Sequence, residues 1–226
     1  MIDFVGFPKI PRYSRDCIIT EKIDGTNVQI LVDEVIPPIE THPDDRVEVG
    51  WLYVDMMDKQ YRMRCGSRNR WITPDNDHYG FARWAYKNAM DLIGIGPGRH
   101  FGEWWGKGIQ RGYGLSEKRF SLFNVIRWDP AMFHLFKWMS WSERDGQKDR
   151  GEEPIFKGPP SCCSVVPVIL TGTFGIIDLD FIMQSLSNHG SHAAPGFMDP
   201  EGIVIYHTGG NVMFKKTIKN DAGKNT

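Results

Sequence analysis

The sequence of 226 residues lacks long apolar runs, and its positive and negative charges nearly cancel. No stretch approaches the roughly 18 consecutive apolar residues that a membrane-spanning helix needs, so no membrane partner is expected. The amino terminus lacks a basic segment followed by an apolar one, which is the pattern of a secretory signal. These absences predict a soluble protein of the cytoplasm.

Cysteine is scarce, and its spacing excludes two kinds of site. None of the four cysteines is separated from another by two residues, so the paired dyads of a structural zinc site are missing. The one close pair, Cys162 and Cys163, is vicinal, and neighbouring cysteines cannot easily form an unstrained disulfide. We therefore expect reduced, mostly buried thiols.

The chain has 27 Lys and Arg against 28 Asp and Glu, a formal net charge of −1. That balance argues against a protein that binds nucleic acid by bulk positive charge. The charges are nevertheless segregated: Asp33–Asp58 holds eight acids and one base, whereas Lys59–Arg70 holds five bases and no acid. A second basic cluster contains Lys215, Lys216, Lys219 and Lys224. Each cluster alone fits a solvated strand face as well as a binding surface.

Short apolar runs separated by turn residues predict mostly β-strands. The turn dipeptide Asp24-Gly25 joins the predicted strands Cys17–Lys22 and Asn27–Val32 by a tight connection. Further strands are predicted over Val47–Val54, Tyr61–Arg68, His100–Gly106, Arg119–Trp128, Ser164–Leu170, Gly202–His207 and Asn211–Thr217. The last two flank Gly209-Gly210 and predict a hairpin.

Helical periodicity is confined to two places. Apolar residues recur at steps of three and four over Phe81–Ile93, and Asp178–Ser187 has the acidic start that suits a helix. The stretch Ser142–Pro160 is polar and rich in Gly and Pro, which predicts an exposed loop. Antiparallel strands with a few helices indicate an α+β fold.

The segment Glu21–Asn27, EKIDGTN, places a lysine at the end of a predicted strand, beside a turn that Gly25 makes possible. A surface lysine before an ordinary turn would have the same local sequence, so the segment alone decides nothing. Five further short motifs follow it in order. The six motifs are Lys22-Ile23-Asp24-Gly25, Ser67-Arg68, Phe101-Gly102-Glu103-Trp104, Phe120-Ser121-Leu122-Phe123-Asn124, Glu201-Gly202-Ile203-Val204 and Phe214-Lys215-Lys216.

This ordered series resembles the covalent nucleotidyltransferase superfamily of polynucleotide ligases and mRNA capping enzymes, and EKIDGTN is most similar to the RNA ligases. The resemblance implies an adenylyltransferase domain of antiparallel sheets with flanking helices. It implies that Lys22 attacks the α-phosphorus of ATP, expels pyrophosphate and holds AMP as a phosphoramidate. Lys215 would neutralise the charge that grows there in the transition state.

The resemblance also assigns residues to the bound nucleotide. Arg68 would contact ribose or phosphate through its forked guanidinium. Glu103 would accept a ribose hydroxyl, and its neighbours Trp104 and Trp105 would supply an apolar wall around it. Phe123 would stack on adenine, although core packing would explain an aromatic residue there equally well.

Two residues beside the nucleophile are included in the implied site. Glu21 is expected to line the adenine pocket, mainly through its backbone. Asn27 matches an asparagine that RNA ligases carry after the nucleophile motif, where it acts near phosphate or metal-bound water. Both are therefore predicted to contact the nucleotide.

Glu201 is implied to hold a divalent cation, Mg²⁺ or Mn²⁺, near the α-phosphate. The last motif departs from the family pattern, in which two lysines stand two residues apart and share a face. Here Lys215 and Lys216 are adjacent, so on a strand their side chains face opposite ways. We favour Lys215 and keep Lys216 and Lys219 as candidates for the second cation.

The resemblance also departs from larger ligases at the carboxyl end. Replicative DNA ligases and capping enzymes place an OB-fold domain after the last lysine motif, whereas ten residues, Thr217–Thr226, follow it here. We therefore expect a single free-standing adenylyltransferase domain over residues 1–226, without an OB-fold domain and monomeric. Substrate clamping would fall to its own surface or to an accessory protein. Small free-standing ligases are frequent in phages, which suggests a phage source and the host cytoplasm.

The leading hypothesis is ATP-dependent RNA ligation, as in RNA repair. Lys22 becomes adenylylated, AMP moves to a 5′-phosphate, and a 3′-hydroxyl attacks that phosphate to seal the strand. Two alternatives stay open: a minimal ATP-dependent DNA nick ligase, and a catalytically silent module that binds nucleotide or nucleic acid. The EKIDGTN sequence and the missing OB-fold domain favour RNA as the substrate.

Basic residues near the implied site are expected to hold the nucleic-acid backbone. If Tyr61–Arg68 is extended throughout, Arg62, Arg64 and Arg68 share one face. The four cations assigned to the backbone are Lys9, Arg12, Arg62 and Arg64.

Overall fold

The computed structural model describes residues 4–35, 50–56, 58–77, 79–142 and 156–219. The chain falls into two compact units, the first formed by Met1–Ile23 with Pro167–Thr226 and the second by Asp24–Val166. Sheets built mainly of antiparallel strands, with few helices, confirm the mixed α and β architecture. No helix in the described ranges is long and apolar enough to cross a membrane.

Along the chain, groups of strands are separated by one or two helices. In chain order they are β1 (Asp16–Lys22), β2 (Thr26–Val35), β3 (Leu52–Met56), β4 (Lys59–Ser67), β5 (Trp71–Ile72), α1 (Phe81–Lys87), α2 (Ala89–Ile93), β6 (Gly98–Gly106), β7 (Lys118–Leu122), α3 (Val125–Trp128), α4 (Pro130–Ser142), β8 (Cys163–Val165), β9 (Val168–Thr173), α5 (Leu179–His189), β10 (Gly202–His207) and β11 (Val212–Thr217).

The first unit contains a four-stranded antiparallel sheet in the order β11-β10-β1-β9, with α5 packed on one face. Successive side chains in a strand point to opposite faces, so alternate residues of β1 face the helix. Cys17 and Ile19 join Ile203 in this core. The helix begins at Asp178, whose carboxylate accepts the backbone N–H of Phe181 at 2.9 Å.

The second unit contains a seven-stranded sheet in which β3-β4-β2-β6-β7-β8 lie in that order and β5 pairs with β4. Helices α1 and α2 cover one face. The Phe81 ring of α1 lies 5.5 Å from the Trp104 ring and 5.1 Å from the Phe120 ring, centroid to centroid. In β2, Val28 and Ile30 face this core, which leaves the intervening residues on the other face.

The predicted strands Cys17–Lys22 and Asn27–Val32 both form, as β1 and β2, but the expected tight pairing between them is wrong. Strand β1 pairs with β9 and β10, whereas β2 pairs with β4 and β6. Asp24-Gly25 therefore carries the chain from one sheet into another instead of closing a hairpin. A local turn signal identifies a change of direction without determining which strands bond.

Two predicted strands are shorter than expected. Arg119–Trp128 is a strand only over β7, because Asn124 caps α3 by accepting the backbone N–H of Arg127 at 3.2 Å. Ser164–Leu170 is split at Pro167, which has no N–H to donate to a ladder. Its two parts, β8 and β9, belong to different sheets.

Other local predictions are confirmed. β10 and β11 form the hairpin predicted around Gly209-Gly210. α5 occupies the predicted helical segment, and the predicted helix Phe81–Ile93 is present but interrupted at Asn88, which separates α1 from α2. The strands predicted over Val47–Val54 and Tyr61–Arg68 appear, in the described residues, as β3 and β4, which pair antiparallel.

Helix α4 has no counterpart among the predicted elements. Of the predicted loop Ser142–Pro160, residues 143–155 lie outside the described residues. Residues 36–49, which hold four of the eight acids of the acidic segment, and Lys224 lie outside them too.

Candidate active site

Lys22 is the last residue of β1, and the first unit holds it against a carboxylate. Antiparallel pairing places Lys22 opposite Gly202, the first residue of β10, and Glu201 immediately precedes that strand. Lys22 Nζ donates to Glu201 Oε2 at 2.5 Å. The two side chains are 24% and 17% exposed, so the pair is shielded yet accessible to a ligand. The predicted nucleophile and the predicted metal ligand are thus in contact.

Gly202 makes this contact sterically possible. Its φ of 155° lies in a region that L side chains rarely adopt. A Cβ at this position would clash with the backbone oxygen of Lys216 on β11. Glycine therefore leaves the position across from Lys22 without a side chain, where Lys22 and Glu201 meet.

The two adjacent lysines of β11 point to opposite faces of the sheet, as strand alternation predicts. Lys215 belongs to a row of paired residues that contains Thr20, two residues before Lys22. Residues directly opposite each other on antiparallel strands share a face, so Lys215 lies on the face of Lys22. Lys216 lies on the α5 face, where its Nζ donates to Asp180 Oδ1 at 3.0 Å.

The third candidate cation, Lys219, follows the end of β11. Its Nζ donates to Asp199 Oδ1 at 2.7 Å. Of the three lysines considered for the last motif, Lys215 is the one that the pairing register places on the same sheet face as Lys22.

Glu21 is buried at 1% exposure on the opposite face from Lys22. Its carboxylate accepts the Ser191 hydroxyl at 2.6 Å and the backbone N–H of Ala193 at 2.8 Å. Its backbone N–H donates to Pro167 at 2.9 Å. The side chain therefore has a structural task that the sequence did not predict, while the nucleotide contact through its backbone stays a prediction.

In the second unit, Asn27 and Glu103 are direct partners across β2 and β6. Asn27 Nδ2 donates to Glu103 Oε2 at 2.6 Å. The backbone N–H of Gly25 donates to Glu103 Oε1 at 3.1 Å. Glu103 is 6% exposed, and Asn27 is exposed. Two predicted nucleotide ligands thus form one hydrogen-bonded pair.

Two residues that the sequence did not single out hold the turn that follows Lys22. The Tyr113 hydroxyl accepts the backbone N–H of Asp24 at 2.8 Å. Arg111 Nε donates to the Asp24 carboxylate at 2.8 Å. Tyr113 is 2% exposed and has a φ of 52°, which is uncommon for an aromatic residue. The glycine-rich stretch 106–114 was the available sequence signal for this loop.

Gly25 fits this turn because it has no side chain. A Cβ there would lie 2.5 Å from the backbone oxygen of Trp104 and 2.8 Å from the Cβ of Trp105. A backbone oxygen cannot move without displacing β6. The glycine of the first motif is therefore required by close packing.

Arg68 and Phe123 occupy exposed positions of the second unit. Arg68 lies in the turn between β4 and β5, where Ser67 N–H donates to the backbone oxygen of Arg70 at 2.8 Å. Phe123 follows β7 and is 37% exposed. These side chains are therefore accessible to a ligand.

The expected apolar wall of Trp104 and Trp105 around Glu103 is wrong for Trp104. Adjacent residues of a strand face opposite ways, and Trp104 belongs to the core under α1. Trp105 shares the face of Glu103, where its Nε1 donates to the Ser121 hydroxyl at 2.8 Å. Trp104 therefore packs in the core beneath the helices, whereas Trp105 links β6 to β7 by a hydrogen bond on the other face.

The residues present could hold a divalent metal only if a bound nucleotide supplied some of the metal's ligands. Within the described ranges, no three His, Cys, Asp or Glu side chains cluster to hold a metal. Mg²⁺ is usually bound by one or two carboxylates together with substrate phosphates and water. The accessible carboxylate of Glu201, beside Lys22, suits that kind of site, in which the nucleotide supplies further oxygens.

A family model described as RNA ligase matches residues 15–219. Curated proteins gave no match.

Solved structures that match include several of a Naegleria gruberi RNA ligase. A mutant with ATP and Mn has a TM-score of 0.49 at 14% identity, over 90% of this chain and 49% of that one. An apo mutant has a TM-score of 0.49 at 15% identity, over 91% and 50%. The enzyme with PPi has a TM-score of 0.46 at 15% identity, over 90% and 49%. The chain spans about half the length of these structures.

Proposed function

Because the chain belongs to the RNA ligase family, we propose that it is an ATP-dependent RNA ligase that acts through a lysyl-AMP intermediate. The observation that carries the proposal is the contact of 2.5 Å between Lys22 Nζ and Glu201 Oε2, on the sheet face that also bears Lys215. An amine, a carboxylate and a second cation on one face are the groups that nucleotidyl transfer to an amine needs.

In the first step, Lys22 Nζ attacks the α-phosphorus of ATP. The N–P bond forms, the bond from the α-phosphorus to the bridging oxygen breaks, and pyrophosphate leaves. An ammonium has no lone pair, so Nζ gives up one proton before it attacks, and Glu201 Oε2 is in hydrogen-bonding contact to receive it. A second proton leaves Nζ for solvent once the N–P bond has formed. Lys215 would neutralise negative charge at the phosphate, which is the main contribution a protein makes to phosphoryl and nucleotidyl transfer.

Glu201 is also the residue proposed to hold Mg²⁺ or Mn²⁺. When bound, the metal supplies further charge neutralisation at the α-phosphate. The contact with Lys22 supports this assignment, because it shows that the Glu201 carboxylate points toward the predicted nucleophile.

The nucleotide contacts are proposed residue by residue. Arg68 would contact ribose or phosphate, Phe123 would stack on adenine, and the exposure of both side chains supports these roles. Glu103 would accept a ribose hydroxyl while it holds Asn27, because a carboxylate can accept several hydrogen bonds. The further contacts in the proposal come from Glu21 through its backbone, from Asn27 near phosphate and from Lys216.

The two later steps use a nucleic acid with a 5′-phosphate and a 3′-hydroxyl. An oxygen of the 5′-phosphate attacks the phosphorus of lysyl-AMP, which frees Lys22 and leaves AMP joined to the end. The 3′-hydroxyl oxygen then attacks the 5′-phosphate, and AMP leaves. We further propose RNA repair as the setting, a monomer in the cytoplasm, and clamping of the substrate by the protein's own surface or by an accessory protein.

The proposal is tested by incubation with ATP labelled on the α-phosphate and a divalent metal, followed by denaturing electrophoresis. Wild type should carry label, and acid should release it because a phosphoramidate is acid-labile. Lys22→Ala should carry none, and neither should Lys22→Arg, since a guanidinium is a poor nucleophile. Lys87→Ala, which removes an exposed lysine of α1, serves as the matched control and should be labelled like wild type.

Two outcomes of that experiment would contradict the ligase proposal. Wild type without label would indicate a silent nucleotide-binding or nucleic-acid-binding module. Label retained by Lys22→Ala would place the nucleophile elsewhere.

The preference for RNA is tested with nicked duplexes and single strands whose 3′-hydroxyl strand is RNA or DNA. We expect faster sealing of the RNA strand. Equal or faster sealing of DNA would favour the alternative, a minimal DNA nick ligase.

A further inference from the structure

The seven-stranded sheet carries a row of alternating indole and guanidinium groups, here called the Trp–Arg array. Arg62 Cζ lies 4.4 Å from the ring centroid of Trp51, and Arg64 Cζ lies 5.7 Å from the same ring. Arg64 Cζ also lies 4.5 Å from the Trp71 ring, and Arg99 Cζ lies 5.3 Å from it. The array therefore runs in the order Arg62, Trp51, Arg64, Trp71, Arg99.

The array lies on the sheet face opposite α1 and α2. In β4, Met63 and Cys65 belong to the core under these helices. The alternating residues Arg62 and Arg64 therefore point to the other face. Arg99 is exposed. The array is thus part of the outer surface of the second unit and not of its core.

The array has more positive than negative charge. Arg62 forms an ion pair with Asp33 at 3.2 Å. Arg99 donates to the side-chain oxygen of Gln29, which is neutral. Arg64 Nε is buried and has no hydrogen-bond partner among the residues that the structure describes. Two of the three guanidinium groups therefore have no carboxylate partner in that part of the chain.

Stacking on indole leaves most of the hydrogen-bonding capacity of these arginines available. A guanidinium carries five N–H donors in its own plane, and a contact through its face uses none of them. The indoles hold the planes in fixed positions, which reduces the entropy lost when an anion binds. Planar guanidinium groups held in a row suit the binding of successive phosphates.

The array continues into the predicted nucleotide-binding residues along one strand. Arg99, Phe101 and Glu103 alternate in β6, so their side chains share a face. Phe101 pairs with Gln29, and Glu103 pairs with Asn27. Phe101 is 51% exposed, which is unusual for a large apolar side chain in the middle of a sheet. Cations, an exposed ring and a carboxylate therefore follow one another on the same face.

We propose that the Trp–Arg array and Phe101 bind a single-stranded segment of the polynucleotide substrate. The arginines contact phosphates, and the Phe101 ring stacks on a base. Basic residues interleaved with exposed aromatics are the usual means of binding single strands, because duplex bases are already stacked on one another. The inference deepens the proposed ligase function and rests on it for the identity of the polynucleotide.

The test measures binding of a labelled single-stranded RNA oligonucleotide by fluorescence anisotropy at a series of salt concentrations. The double variant Arg62→Ala/Arg99→Ala should raise the Kd about tenfold and reduce the slope of log K against log salt by about one to 1.5, the value for two phosphate contacts. Phe101→Ala should raise the Kd about tenfold through lost stacking and leave that slope unchanged.

Arg83→Ala is the matched control, because it removes one exposed arginine from α1, on the helix-covered side of the sheet. We expect wild-type binding from it. The variant Arg62→Lys/Arg99→Lys keeps both charges and should retain the wild-type slope with weaker binding, so it tests the array even if the alanine pair fails to fold. Circular dichroism melts identify folded variants.

Several outcomes would overturn the inference. One is a wild-type protein that binds no oligonucleotide, and another is an unchanged Kd and slope in the double variant. The others are an equal loss of binding in Arg83→Ala and a loss of binding that is confined to duplex RNA. Labelling of Lys22 by ATP, measured on the same wild-type preparation, separates the two proposals. Array-dependent binding without label would remove the ligase proposal and keep the binding surface, whereas label with array-independent binding would do the reverse.

Discussion

At the scale of single residues, Glu21 and Lys22 show how one strand end combines stability with chemistry. The Glu21 carboxylate is buried and accepts hydrogen bonds from Ser191 and Ala193. Lys22 points to the opposite face and contacts Glu201. Because buried donors left without an acceptor destabilise a fold, Glu21 variants would report on stability, whereas Lys22 variants test the proposed chemistry.

The two lysines of β11 give a prediction at the same scale. Lys215→Ala should lower the rate of labelling with ATP by about a hundredfold or more, the usual effect of removing a group that stabilises transition-state charge. Lys216→Ala should lower it by a small factor, because the Lys216 ammonium lies on the other face and pairs with Asp180 at 3.0 Å. Quench-flow labelling at saturating ATP measures both rates.

Asp180→Asn provides a check on that comparison, because it removes the partner of Lys216 without touching the face of Lys22. It should label like Lys216→Ala. A Lys216→Ala defect as deep as that of Lys215→Ala would mean that the second lysine, and not the first, acts on the phosphate.

The sequence predicted the opposite orientation of these lysines because strand alternation is a local property. It did not predict the partners of Glu21, since Ser191 is 170 positions away and carries no local signal. Glu201 was assigned from an ordered motif, and its contact with Lys22 depends on a strand pairing between residues 179 positions apart. Local chemistry was therefore predictable, whereas its long-range partners were not.

At the scale of elements, the loop between β6 and β7 fixes the turn that follows Lys22. Tyr113 and Arg111 hold the backbone and the carboxylate of Asp24, and Glu103 of β6 holds the backbone of Gly25. All these groups belong to the second unit, in which the turn begins. We infer that Arg111 and Tyr113 are positioning residues for the segment that follows Lys22.

Tyr113→Phe and Arg111→Ala should therefore lower the rate constant for labelling by about ten- to a hundredfold, because small displacements of reacting groups are costly. The KM for ATP should change little, since neither residue is assigned to the nucleotide. Arg111→Lys keeps a donor to Asp24 and should recover part of the rate. Steady-state and single-turnover labelling measure the two parameters separately.

Tyr53→Phe serves as the matched control. Tyr53 lies in β3, so this substitution removes a tyrosine hydroxyl outside the loop between β6 and β7. It should label at the wild-type rate. A raised KM with an unchanged rate constant in Tyr113→Phe would show that the loop binds ATP and does not position the turn.

The strands themselves were predictable to a large extent, because alternation and turn residues are encoded locally. Their assembly was not: β1 and β2 follow each other across Asp24-Gly25 yet enter different sheets. Pro167 likewise divides one apolar run into two strands of separate sheets. The proline marks where the strand breaks but does not specify which strands each part pairs with. Helix α4 was missed because its aromatic residues lack a clear helical stripe.

At the scale of the whole molecule, composition and position carry different information. The net charge of −1 is an average over segregated segments, and the Trp–Arg array is a local excess of positive charge on one sheet face. Tryptophan is segregated too: all eight belong to the second unit. Tryptophan emission therefore reports unfolding of that unit alone, so the pH dependence of the second unit's stability can be measured.

The stability of the second unit should fall in mild acid because of His100 in β6. Burial lowers the pKa of His100 below its ordinary 6.5, and the charge of Arg127 lowers it further, although the hydrogen bond to the Gly96 backbone oxygen opposes both. The unfolded chain binds a proton near 6.5 and the folded chain only at lower pH. Stability is therefore fully present above that value and is lost as the pH falls below it.

Urea unfolding followed by tryptophan emission at several pH values between neutral and mildly acidic tests this. The free energy of unfolding should decrease with falling pH, with a contribution from His100 of at most about 1.4 kcal/mol per pH unit, the limit for one proton. His100→Gln keeps a donor for the Gly96 oxygen but cannot titrate, so its curve should be flatter than that of wild type. Parallel curves would assign the acid sensitivity to other groups, because a difference in slope, unlike an overall loss of stability, can come only from the proton that His100 binds.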